Sequence, residues 1–193
     1  MCRILLLAVV LQIPGTLTRA AEEEIASGPK PGEKTPALKL QLMDREGKFA
    51  EKEFTADRTE KPTIYVFVQA AEFSRPIARF LRSLDESVIA VDPNTAILAV
   101  WLTDDAAASQ RYLPRAQQSL RLKETFLGVW KGQGAGPKGW NVDSSAPVSV
   151  VVANGPKVFS SKGFRSVNET LAQSITKSLA AAVNQDQGKE SSK

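Results

Sequence analysis

The chain has 193 residues, 42% of them apolar and 24% charged, which suits one domain with a sizeable core. Its net charge is +4, and it contains one cysteine, Cys2, and no histidine. The charge is too small for a nucleic-acid surface, which needs a clustered basic face, and the missing histidine excludes imidazole bases and imidazole metal ligands.

Residues 1–20 have the pattern of a secretory signal. Arg3 supplies a positive start, Ile4 to Leu11 is an unbroken apolar run, and Pro14-Gly15 breaks any helix. Thr18-Arg19-Ala20 places small residues where a signal peptidase reads, so cleavage is expected after Ala20. The apolar run is well short of the roughly 20 residues a spanning helix needs, so no stable membrane insertion is expected once the leader is removed. Export to the periplasm or the exterior follows from this reading, and Cys2 leaves with the leader. The mature chain then has no thiol for nucleophilic or redox chemistry or for thiolate metal ligation. Losing Arg3 and Arg19 from 25 basic residues, against 21 acidic, leaves a charge of +2.

Residues 21–36, with three consecutive glutamates followed by Gly, Pro and Lys, read as an exposed flexible linker. A domain is expected over 37–183, followed by a polar, disordered tail at 184–193. Within the domain, Leu38, Leu40 and Leu42 alternate and run into an Asp44-Arg45-Glu46-Gly47 turn, a strand entering a hairpin. Thr63 to Val68 (TIYVFV) reads as a strand buried on both faces. Ile77, Phe80, Leu81, Leu84 and Val88 then mark a helix, with Ser74 as its N-cap and Pro76 tolerable in the first turn. Ala96 to Leu102 is a second buried strand. Asp104 and Asp105 offer caps for a helix from Ala106 to Leu120, which Pro114 should kink or split. Phe126 to Trp130 reads as a short strand, 131–139 as a glycine-rich loop and Val148 to Ala153 as a strand. Asn154-Gly155 turns the chain into a return strand over Lys157 to Ser160. Val167, Leu171, Ile175 and Leu179 mark a last helix. Buried strands joined by helices imply an α/β fold, with a mixed central sheet and helices on both faces.

This order and its punctuation resemble the thioredoxin-like fold, in particular its exported redoxin branch. The resemblance covers about 37–183 and rests on three stretches. Pro31 to Ala37, followed by the first strand and its turn, resembles the redoxin entry. Glu72-Phe73-Ser74-Arg75-Pro76-Ile77 stands where that family carries Trp-Cys-x-Pro-Cys. Val142 to Lys157 resembles the segment that carries the family's cis-proline into its last hairpin, which makes Pro147 the implied cis-proline and Ala146–Pro147 the implied cis bond. The departures bear on function. Ser74 and Ile77 occupy the two cysteine positions; an alcohol has no redox couple with a disulfide, and isoleucine has no heteroatom. Peroxidase chemistry of the peroxiredoxin kind needs a cysteine as well. The resemblance therefore implies a domain without thiol activity, needing no cofactor.

Individual residues carry competing readings. Ser74 as a nucleophile would need a base within hydrogen-bond reach, whereas N-capping explains it unaided. Phe73 and Pro147 either flank a shallow groove that takes up an extended peptide by strand pairing, as the family's positions imply, or serve the fold alone. Trp140, after the glycine loop, is expected partly exposed beside that groove; Trp101 reads as core. Arg75, Arg79 and Arg82 share one helix face that could meet an acidic partner, although Asp85 and Glu86 dilute it and a solvated face is the plainer reading. Asp104 and Asp105 read as caps before they read as metal ligands. The expectation is an exported, non-catalytic domain that binds a protein or peptide partner in the cell envelope. The alternatives are a redoxin by homology, or a serine enzyme built on Ser74.

Overall fold

The computed structural model describes residues 23–132 and 136–190, so the expected leader lies outside the described residues. Strands β1 (Glu24–Ile25), β2 (Lys39–Met43), β3 (Phe49–Glu53), β4 (Thr63–Gln69), β5 (Ala96–Thr103), β6 (Thr125–Lys131), β7 (Val148–Asn154) and β8 (Lys157–Phe164) form one sheet in the order β1-β8-β7-β4-β5-β6-β2-β3. The helices are α1 (Arg75–Val88), α2 (Ala106–Leu120) and α3 (Leu171–Glu190). β4, β5 and β6 are parallel, and every other pairing is antiparallel. β4 and β5 lie at the centre, where covered faces on both sides call for continuous apolar runs.

The alternating residues of those strands separate two cores. Ile64, Val66, Val68, Ile97, Ala99 and Trp101 pack against Phe80, Leu81 and Leu84 of α1, Leu113 of α2 and Leu171, Ile175 and Leu179 of α3. Tyr65, Phe67, Leu98, Val100 and Leu102 face the other way, against Leu38, Leu40, Phe54, Trp140 and Val142. All three helices therefore lie on one face, not on both as the sequence led us to expect. The reason is topological. The connections β4–α1–β5 and β5–α2–β6 step in the same direction across the sheet, and two right-handed crossovers in one direction place both helices on the same side. The second face is covered by irregular chain.

Part of that cover is the segment expected to be a flexible linker. β1 pairs with β8 through Glu24↔Phe164 and Ile25↔Gly163. Further along, Gly32 N–H donates to Val158 O, Val158 N–H donates to Glu33 O and Thr35 N–H donates to Pro156 O. Ser27 is buried, with its hydroxyl 2.7 Å from that of Ser149. Gly28 adopts φ +99°, and a β-carbon there would lie 2.8 Å from Ser161 Cβ, so glycine is required for the segment to lie this close. Backbone hydrogen bonds anchor residues 23–36, and low apolar content conceals bonding of that kind.

Three smaller differences have physical causes. α3 continues to Glu190, so most of the expected tail is helical backbone; its polar residues include good helix formers that extend a helix already anchored by Leu171, Ile175 and Leu179. α2 is not split at Pro114, because Leu113 and Ala116, buried on either side of the proline, hold both halves against the sheet. Asp85, read as part of a solvated face, is buried, and its carboxylate accepts from the backbone N–H groups of Lys123, Glu124 and Thr125 and from the Thr125 hydroxyl, at 2.7–2.9 Å.

Candidate functional site

The Phe73–Ile77 stretch lies where β4 passes into α1, at the C-terminal ends of the parallel strands, which is the end where open α/β sheets place their ligands. A short 3-10 turn over Ala70–Glu72 leads to an extended Phe73 and Ser74, and the helix begins at Arg75 with Pro76 in its first turn. Ser74 holds the N-cap position with φ −139°, but its hydroxyl makes no capping bond. That hydroxyl has no hydrogen-bond partner among the described residues, and so no base stands within reach of it. Ser74→Ala should therefore change stability by less than about 0.5 kcal/mol, against about 1 kcal/mol for a working cap, measured by thermal or urea unfolding.

Ile77 is a core residue, 2% exposed and packed within the helix-side cluster. Phe73 packs on the same side, its ring 5.1 Å from Trp101 and 5.9 Å from Tyr112. Arg75, Arg79 and Arg82 are exposed, and Arg82 pairs with Glu86 one turn on at 2.8 Å.

Trp140 does not lie beside Phe73. It is fully buried on the opposite face of the sheet, with its ring 4.7 Å from Tyr65 and 4.9 Å from Phe67, and its Nε1–H donates to Ala37 O at 3.1 Å. A turn closed by Trp140 N–H donating to Pro137 O carries the indole under the sheet. The glycine-rich neighbourhood suggested exposure, whereas here it supplies the sharp turn that burial requires.

The implied cis bond is absent as well: no described peptide bond is cis, so Ala146–Pro147 is trans. Ala146 is buried, its N–H donates to Asp143 O at 3.2 Å, and Pro147 O accepts from Gln69 N–H at 3.0 Å. A peptide pairing with this segment would find two of its backbone groups already used. The groove expected from Phe73, Ala146, Pro147 and Trp140 is therefore not assembled.

A different concavity is present at this end. A cavity of about 470 Å³ is lined by Gln69, Glu72, Leu102, Thr103, Asp104 and Ser144, among others. Asp105, not Asp104, caps α2, accepting from Ala108 N–H at 2.9 Å. The turn carrying Ser144 is braced on both sides. Asp143 Oδ1 accepts from the Ser145 hydroxyl at 2.7 Å and from Ser145 N–H at 2.8 Å, and these bonds hold its carboxyl below the usual carboxylate range. Asp143 N–H donates to Ser27 Oγ at 2.8 Å, which ties the turn to the docked N-terminal segment. Of these lining residues, the sequence pointed to Asp104 as a helix cap and to Glu72 as the first residue of the quoted motif. The others come from the ends of β4 and β5 and from the connection between β6 and β7, which only the fold brings together, and no short motif signals them. Among the described residues no three acidic, cysteine or histidine side chains group as a metal site.

No protein-family model and no curated protein sequence matches the chain. Solved structures do match it. A DsbF homologue from Corynebacterium diphtheriae aligns over 89% of this chain and 97% of its own, with a TM-score of 0.56 and 12% identity. The reduced 2-Cys peroxiredoxin of Plasmodium vivax aligns over 81% and 83%, with a TM-score of 0.60 and 14% identity. AhpC of Enterococcus faecalis aligns over 82% and 95%, with a TM-score of 0.56 and 14% identity. The mixed eight-stranded sheet with its three helices thus has the thioredoxin-like α/β fold of these proteins, in a chain whose single cysteine, Cys2, provides no redox pair.

Proposed function

We propose that the chain is an exported, non-catalytic thioredoxin-like domain that binds an extended protein segment in the cell envelope. The observation that carries this reading is the cavity at the C-terminal ends of β4 and β5, beside a motif whose Ser74 has no base and whose Ile77 is core. The leader-like residues 1–20 support export. Since Ala146 N–H and Pro147 O are already bonded, recognition here rests on a side chain entering the cavity instead of on strand addition. Glu72 favours a donor-rich or cationic side chain on the partner, and Thr103 and Ser144 add neutral polar partners.

The test has two parts. A disulfide-reduction assay on the chain from Ala21 onward should give no rate above blank; a measurable rate would overturn the non-catalytic reading. Segments captured from an envelope extract would be resynthesised and titrated against wild type and Ser144→Trp, which fills the cavity. A loss of at least about tenfold in affinity is expected. Unchanged affinity, or no segment that binds as a free peptide, removes the cavity from the function.

A further inference from the structure

The opposite end of the sheet holds a second opening. β2 and β6 pair at only two positions, Gln41↔Val129 and Leu42↔Gly128, although β2 continues to Met43 and β6 begins at Thr125. Gly128 sits at the last rung, where a β-carbon would lie 2.0 Å from Leu40 Cδ1, so a side chain there would have to displace the buried Leu40 side chain. Past that rung they separate around a cavity of about 370 Å³, within the size range of small-molecule sites.

Leu42, Met43 and Phe126 give the cavity an apolar wall. Phe126 is 44% exposed although its ring meets Phe54 edge-on at 5.5 Å. Arg45, Lys52 and Lys123 also line the cavity, against one carboxylate, Asp44. That carboxylate is engaged in its own turn, where Asp44 Oδ1 accepts from Glu46 N–H at 2.9 Å and from Lys48 N–H at 2.8 Å. Lys52 is paired with Asp57 at 2.6 Å. The side chains of Arg45 and Lys123 have no hydrogen bond or ion pair with any described residue. Lys123 is nevertheless fixed at its root, since its backbone N–H donates to the buried Asp85 at 2.9 Å.

We propose that this split in the sheet binds a small amphipathic carboxylate. The alkyl chain lies against Leu42, Met43 and Phe126, and the carboxylate lies between Arg45 and Lys123. An inorganic anion would leave the apolar wall uncovered, and a neutral hydrocarbon would leave both cations without a partner. The site is independent of the reading given to the cavity at the other end.

The probe is sodium octanoate, titrated below its micellar concentration into the ¹⁵N-labelled full chain at low salt. Saturable amide shifts are expected over residues 42–50 and 123–127, with weaker binding of 1-octanol, which has the chain without the charge. Arg45→Ala with Lys123→Ala should weaken octanoate by about tenfold or more. Both side chains are exposed, and a near-ultraviolet spectrum checks that the variant is folded. Ala50→Trp, which fills the cavity and keeps both cations, should abolish binding. The proposal is overturned if no saturable shifts occur there, if octanol binds as tightly as octanoate, or if either variant binds octanoate like wild type.

Discussion

Trp140→Ala is expected to lower the unfolding free energy by about 3–5 kcal/mol, read from urea titration. The indole is wholly buried between Tyr65 and Phe67, on the face of the sheet that no helix covers. Truncation would open a cavity in the smaller of the two cores and leave Ala37 O without the Nε1–H that now donates to it at 3.1 Å. Trp140→Phe keeps an aromatic ring and loses that donor, so about 1–2 kcal/mol is expected for it. A loss below about 1 kcal/mol for Trp140→Ala would mean that the indole is not core. The same reasoning bears on binding experiments: a Trp140 variant that stops binding reports lost structure, whereas Ser144→Trp alters the cavity lining directly.

The other large effect is expected at Asp85. Three backbone N–H groups at the entry to β6 and one hydroxyl converge on its carboxylate. Asp85→Ala removes every one of those acceptors from a buried site and should cost about 3–5 kcal/mol. Asp85→Asn can keep its amide oxygen on the three donors that now share Oδ1 and sets its NH2 against Lys123 N–H alone, so it should recover a good part of the loss. Hydrogen exchange at residues 123–125 gives the local readout. Protection there that survives Asp85→Ala would show that the carboxylate does not organise this turn.

The buried strands were legible because double-sided burial writes itself as an uninterrupted apolar run, as in Thr63 to Val68 and Ala96 to Leu102. α1 was legible from the spacing of Ile77, Phe80, Leu81 and Leu84, all of which are buried. What stayed hidden depends on partners distant in sequence. Asp85 looks like any helix carboxylate until Lys123 to Thr125 are brought to it across nearly forty positions. Residues 23–36 look like a spacer because backbone bonding leaves no apolar signature. The sidedness of the helices follows from strand order, which periodicity alone does not give. At the candidate site, the motif directed attention to Phe73, Ser74 and Ile77, one step downstream of the turn that lines the cavity.

The docked N-terminal segment also covers one edge of the sheet. It is bonded to β8 at Gly163–Phe164 and again at Val158, so that margin of the sheet offers no long open backbone for a second molecule to extend. The other margin, β3, carries Glu51, Lys52 and Glu53 in succession, a charged border that discourages edge-to-edge growth. A domain trimmed to start at Ala37 would keep both cores and uncover β8 along its length. The stretch that covers this edge is thus one that a boundary drawn by composition would discard.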